Sequence, residues 1–169
     1  MQSEALFSPC NSYRYRLSRS WNPGTAPLAI VMLNPSTADA ERDDPTIRRC
    51  IALAAREGFG GIEVMNLFAF RATAPADLKA AADPIGPDND PHLRDLFLRH
   101  SAVLAAWGVH GTYRGRADTI IRLVGGLGVA LTCLGHTAHG QPRHPLYVRR
   151  DCPLLPFTAR PQTVSPASL

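Results

Sequence analysis

The chain is expected to fold as an α/β domain, three layers deep, around a central and mainly four-stranded parallel sheet. Three observations predict this. Four short apolar runs, Leu28 to Leu33, Ile62 to Leu67, Ala102 to Ala106 and Val129 to Leu134, read as strands. Helical patterns separate them, and strands alternating with helices imply a parallel sheet covered on both faces. The runs also carry little polar alternation, which suits burial on both faces better than one wet face.

The elements follow in order. Ser12 to Leu17 alternates Tyr13-Arg14-Tyr15-Arg16 and reads as a strand, placed at an edge, that ends at the turn residues Asn22-Pro23-Gly24. Leu28 to Leu33, bounded by Pro27 and Pro35, is the first buried strand, and Asn34 to Asp39 is a loop. Asp44-Pro45 gives an N-cap with Pro at the first helical position, opening a helix to Glu57 that turns Ile47, Cys50, Ile51, Ala54 and Ala55 to one side. Gly58 and Gly60-Gly61 stop it. After the strand Ile62 to Leu67, residues 72 to 90 are rich in Ala, Pro and Asp and read as a long loop with one short helical piece. A helix over Asp90 to His100 precedes the third strand, a helix over Gly115 to Val124 precedes the fourth, and the loop Gly135 to Pro145 holds His136, His139 and His144. One domain over residues 1–157 is expected, with a disordered tail at 158–169.

Bulk numbers exclude several classes. With 169 residues, 45% hydrophobic and 19% charged, the chain has enough apolar side chains for a core and is not intrinsically disordered. No apolar run approaches the ~20 residues that a bilayer requires, so no membrane partner is expected. Met1 to Pro9 carries Glu4 and no basic start, so no signal peptide is expected and a cytoplasmic monomer is. Lys79 is the only Lys among 18 basic residues. A GC-rich genome explains that bias in bulk, although Arg also suits phosphate oxygens. Cys10, Cys50, Cys133 and Cys152 form no C-x-x-C pair, and free thiols are the expectation. The three histidines of the last loop fit no metal template, so neither metal nor cofactor is expected.

In parallel sheets, ligands bind beyond the carboxyl ends of the strands. That rule selects Asn34-Pro35-Ser36, Asn66, Trp107-Gly108 and the loop reaching His144. Asn34-Pro35-Ser36 precedes a helix start, with Arg48 and Arg49 close by, and reads either as a ligand loop or as an ordinary Asx turn. Asn66 offers a donor and an acceptor that suit the edge of a base, or else satisfies loop backbone. Phe68 and Phe70 suit stacking on a planar ligand, or the core. Arg143-His144-Pro145-Leu146-Tyr147 joins a hydrogen-bonding His, apolar side chains and, at Arg149-Arg150, phosphate anchors; an exposed loop is the alternative.

Two resemblances attach to these residues. Leu33-Asn34-Pro35-Ser36-Thr37-Ala38-Asp39, Asp44-Pro45-Thr46-Ile47, Asn66-Leu67-Phe68-Ala69, Ala106-Trp107-Gly108 and Pro142-Arg143-His144-Pro145-Leu146-Tyr147 look like the signature of an uncharacterised bacterial family, the domain of unknown function 1643. The order and spacing of the same blocks is similar to the uracil-DNA glycosylase superfamily. Its first motif, G-Q-D-P-Y-H or G-I-N-P-G, corresponds to Met32-Leu33-Asn34-Pro35-Ser36-Thr37, and its L-L-L-N strand end to Val64-Met65-Asn66 with Arg71 beyond. Its W-G pair is Trp107-Gly108, and its H-P-S-P-L loop is His144-Pro145-Leu146-Tyr147. The leading Gly and the Ser-Pro pair of those motifs are absent here.

The resemblance implies a glycosylase-like fold and a monofunctional DNA glycosylase. Asn34 would position water and His144 would donate toward the departing base. Pro35, Ser36, Asn66, Phe68 and Phe70 would hold the flipped base. Leu146 or Tyr147 would fill the gap in the duplex, with Arg48, Arg49, Arg71, Arg143, Arg149 and Arg150 on the DNA backbone. DNA is the expected partner, double-stranded, with single strands also open. Ser36 stands where the uracil-specific enzymes have a Tyr that blocks the base C5, so a 5-substituted pyrimidine is expected, hypermodified phage cytosine first among them. Lys79 lies outside the motifs, which argues against a Schiff-base lyase step. Two alternatives stand beside this reading: an enzyme of free nucleosides or nucleotides, and a non-catalytic module that binds modified bases.

Overall fold

Pro27–Met32 has no polar side chain and takes the centre of the sheet as strand β3. The computed structural model describes residues 1–159. Around β3 it arranges β1 (Gln2–Phe7), β2 (Arg14–Ser20), β4 (Gly61–Asn66), β5 (Ala102–Ala105), β6 (Ala130–Cys133) and β7 (Leu155–Pro156) in the order β1-β2-β4-β3-β5-β6-β7. The central four, β4-β3-β5-β6, run parallel; β1, β2 and β7 pair antiparallel at the flanks. Four parallel strands over the four apolar runs are thus present, within a mixed sheet of seven.

The helices are α1 (Pro45–Arg56), α2 (Pro75–Ala80), α3 (Asn89–Arg99) and α4 (Arg116–Gly126). Side chains alternate along β3, and the two sets feed two cores. Leu28, Ile30 and Met32 pack with Ile47, Cys50, Leu53 and Ala54 of α1, whereas Ala29 and Val31 pack with Leu93, Leu96 and Phe97 of α3 and Ile120 and Val124 of α4. Helices therefore cover both faces. Asp44 caps α1 as its sequence predicts, accepting from the Ile47 N–H at 2.8 Å, with Pro45 at the first position.

Three features depart from expectation. The strand read at an edge is internal, because β1, a largely exposed run with little alternation, pairs along its outer side. β7 covers the far edge with two residues, one of them Pro156, a residue suited to an edge strand. Between β5 and α4 the chain makes a 3-10 turn over Val109–Gly115. The expected disordered tail falls mostly on residues 160–169, outside the described residues.

Candidate functional site

The connection from β3 passes through α1 to β4 on one side, and the chain then crosses back to β5 on the other. The loops leaving β3 and β5 diverge there, which opens a crevice at their carboxyl ends. A cleft of about 510 Å³ occupies it, lined by Arg14, Asn34, Ser36, Asp44, Asn66 and His144 among others. Three residues selected from the sequence, Asn34, Asn66 and His144, thus reach one cleft from three strand ends far apart in the chain.

Each is held differently. The Asn34 amide donates from Nδ2 to the carbonyls of Pro35 at 3.1 Å and Ala72 at 2.8 Å, so its Oδ1 is left as an acceptor. Asn66 is only 2% exposed, and its Nδ2 has no partner among the described residues. A buried donor without an acceptor costs about 1–3 kcal/mol, a debt that a bound acceptor would cancel. The strand end itself is pinned: Asn89 donates to the carbonyls of Asn66 at 3.0 Å and Leu67 at 3.1 Å, and Arg116 Nε donates to Leu67 at 2.8 Å.

His144 precedes a 3-10 turn over Pro145–Tyr147, and its Nδ1 accepts the Leu146 N–H at 3.2 Å. Burial pulls the imidazole below its ordinary pKa, against a smaller upward effect of Asp44. The ring is therefore neutral at pH 7, and an accepting Nδ1 puts its proton on Nε2. The loop that carries it is tied to β5 by the Gly108 N–H donating to Pro142 at 2.9 Å and by Trp107 Nε1 donating to Gln141 at 2.9 Å. Gly108 takes a positive φ of 71°, a conformation few other residues adopt.

The remaining expected residues divide. Ser36 and Arg143 line the cleft, and Leu146 and Tyr147 stand exposed at its mouth beside Val109. Arg48, Arg49, Arg149 and Arg150 line a neighbouring hollow of about 700 Å³ between α1 and residues 148–152, together with Arg56. Several of these guanidinium groups already hold that segment, Arg49 on the Val148 carbonyl at 2.7 Å and Arg149 on Asp151 at 3.0 Å. Pro35 is buried and offers its carbonyl to Asn34 and to the Ala72 N–H. Phe68 does not reach the cleft: it is fully buried in the core, against Tyr113, and cannot stack on a ligand there. Phe70 and Arg71 also lie outside it. Phe70 packs edge-on against Tyr13, and Arg71 sits 4.8 Å over the Phe7 ring. His136 stacks on Phe157, His139 is exposed, and no group of three or more metal-binding side chains occurs among the described residues. The four cysteines are free thiols, and no described helix is long and apolar enough to cross a membrane.

Arg14 and Arg19 have roles that the sequence conceals. Arg14 is 3% exposed, lines the cleft and donates to the Ala38 carbonyl at 2.6 Å. Burial draws its pKa down to about 10, so it stays charged at neutral pH. Arg19 donates to the Asp39 carbonyl and to Asp43 Oδ1, the latter at 2.9 Å. Both anchor the loop between Asn34 and Asp44 from a strand outside the parallel core. The local alternation pairs Arg14 with Arg16, yet Arg16 is 39% exposed in its side chain, so the pattern gives no signal of this burial.

The model of a family described as proteins of unknown function (DUF1643) matches residues 14–146. The chain belongs to that family. No curated protein and no solved structure matches it. The family's matched span contains every strand end of the cleft and stops at Leu146, on the lip of the site.

Proposed function

We propose that this member of the family is a monofunctional DNA glycosylase that excises a 5-substituted pyrimidine and leaves an abasic site, with phage DNA bearing hypermodified cytosine as its target. The observation that carries the reading is the meeting of Asn34, Asn66 and His144 in one cleft, with the buried Asn66 amide lacking an acceptor. Helices on both faces of a four-stranded parallel core suit the three-layer arrangement of the uracil-DNA glycosylase superfamily.

The base leaves with the electron pair of the C1′–N1 bond, and charge develops on its carbonyl oxygen O2. The neutral His144 Nε2–H is a donor suited to that oxygen. Asn66 Nδ2 supplies a second donor to the base edge. Asn34 Oδ1 accepts from the water that adds to C1′, and the water's proton passes to solvent. Ser36 at the cleft wall leaves room beside C5. Exposed Leu146 and Tyr147 at the mouth suit the gap left by a flipped nucleotide, and the arginines of the neighbouring hollow suit phosphates.

The test is incubation of the purified protein with phage DNA carrying 5-hydroxymethyl or glucosylated cytosine, followed by mass analysis of released bases and alkali cleavage at abasic sites. Release of the modified base, lost in Asn34→Ala and His144→Ala, is expected. Efficient excision of plain uracil with modified duplexes left intact overturns the proposal, as do variants that match wild type.

A further inference from the structure

Loss of the base leaves a cationic, oxocarbenium-like sugar, and the neutral Asn34 offers it no charge. The cleft nevertheless holds a carboxylate. Among its described lining residues the ionisable side chains are Arg14, Arg143, His110, His144, Tyr147 and, as the one carboxylate, Asp44. As the cap of α1 Asp44 needs only one oxygen: Oδ1 accepts the Ile47 N–H at 2.8 Å. Oδ2 has no hydrogen-bond donor, and the carboxylate no ion pair, among the described residues. The group sits at the positive end of the α1 dipole. Its charge also reaches across the cleft, since it opposes the effect of burial on both His144 and Arg14.

We propose that Asp44 is the anion of this site: its free Oδ2 stabilises the cationic sugar as the glycosidic bond breaks, replacing the carboxylate that the Asn34 motif lacks. Asp44 forms no bond and takes no proton in this step. The C1′–N1 electron pair leaves on the base, water supplies the new C1′–O bond, and the carboxylate is unchanged at the end. The inference rests on the glycosylase reading of the cleft and adds the residue that reading leaves without a role.

Asp44→Asn separates the two functions of the side chain, because Asn caps helices as well as Asp while carrying no charge. Its thermal midpoint is expected to fall by no more than about 4 °C, the share of the charge–dipole interaction. Asp44→Ala, which loses cap and charge together, is the comparison that exposes the cap. Affinity is then measured for two duplexes, one with a cationic pyrrolidine in place of the target sugar and one with neutral tetrahydrofuran. Wild type is expected to prefer the cationic duplex by about tenfold or more, as close charge pairs do. Asp44→Asn is expected to bind the two alike and to release base at least about tenfold more slowly. The inference is overturned if the wild type shows no preference, or if Asp44→Asn keeps it. Should wild type prefer the cation through Asp44 yet release no base from any duplex, the assignment of Asp44 stands and the glycosylase reading falls.

Discussion

Replacing Glu63 with Gln removes the only charged side chain of the four parallel strands. Glu63 is 5% exposed, and it accepts from Arg99 at 2.6 and 2.9 Å and from His100 at 3.0 Å. Burial pushes its carboxyl up, but the hydrogen bonds from His100 and Arg99 outweigh that and hold it at about 2, against an ordinary 4.5. At ~1.4 kcal/mol per pH unit the difference is worth about 3 kcal/mol at most. The Arg99 side chain is 42% exposed, so solvent screening reduces it to roughly 2 kcal/mol. Because the folded-state pKa is depressed, this contribution is complete above pH 4.5 and is lost as pH falls through 2. Thermal unfolding followed by circular dichroism at pH 7, 4.5 and 2.5 measures it. At pH 7, Glu63→Gln is expected to lower the midpoint by about 4–8 °C, and the gap should narrow toward pH 2.5. A gap that stays constant across that range refutes the reasoning. So does a variant as stable as wild type at pH 7, which would mean that burying the charge costs as much as its partners return.

Two further outcomes follow from the site. A Cβ at Gly111 would lie 2.1 Å from Trp107 Cδ1, so Gly111→Ala must displace the buried indole or the 3-10 turn. It is expected to destabilise by about 1–3 kcal/mol in denaturant titration, and to weaken base release because Trp107 anchors the His144 loop through Gln141. His144 is expected to give base release an acid limb whose midpoint lies below pH 6.5. Burial holds its pKa under that ordinary value, and a proton on Nδ1 would face the Leu146 N–H as a second donor. An acid limb centred at or above pH 6.5 in the kcat/KM profile contradicts this.

Local chemistry made part of the molecule legible. Asp44-Pro45 is a start signal that needs nothing beyond its own residues, and α1 begins there. The apolar runs at 28–33, 62–67, 102–106 and 129–134 need both faces covered, and they form the parallel core. The strand-end rule found Asn34, Asn66 and His144 because topology alone places such residues at one edge of the sheet. Partners supplied from elsewhere in the chain were hidden. Arg14 is buried because β2 pairs with β4 and a loop 24 residues on closes over it, and neither is written in Tyr13-Arg14-Tyr15-Arg16. Phe68 stands two residues past Asn66, where no regular alternation fixes the side a residue takes, and it turns into the core instead of the cleft. Asp44 was legible as a cap and not as a lining residue, since that depends on the distant loop that brings His144 opposite.

The family match ends at Leu146, but the architecture does not. Phe157 lies beyond that boundary, 6.0 Å from the Trp107 ring and 5.3 Å from the His136 ring, and its backbone N–H donates to the Leu131 carbonyl at 2.9 Å. Leu155 and Pro156 close the open side of β6. A protein trimmed to residues 14–146 would bare that edge to other strands and remove an aromatic wedge from behind the loop that aims His144. It would also lose β1, leaving β2 as a second raw edge. The span that defines kinship is thus shorter than the sheet, and the extra residues serve as clamps on either rim of it.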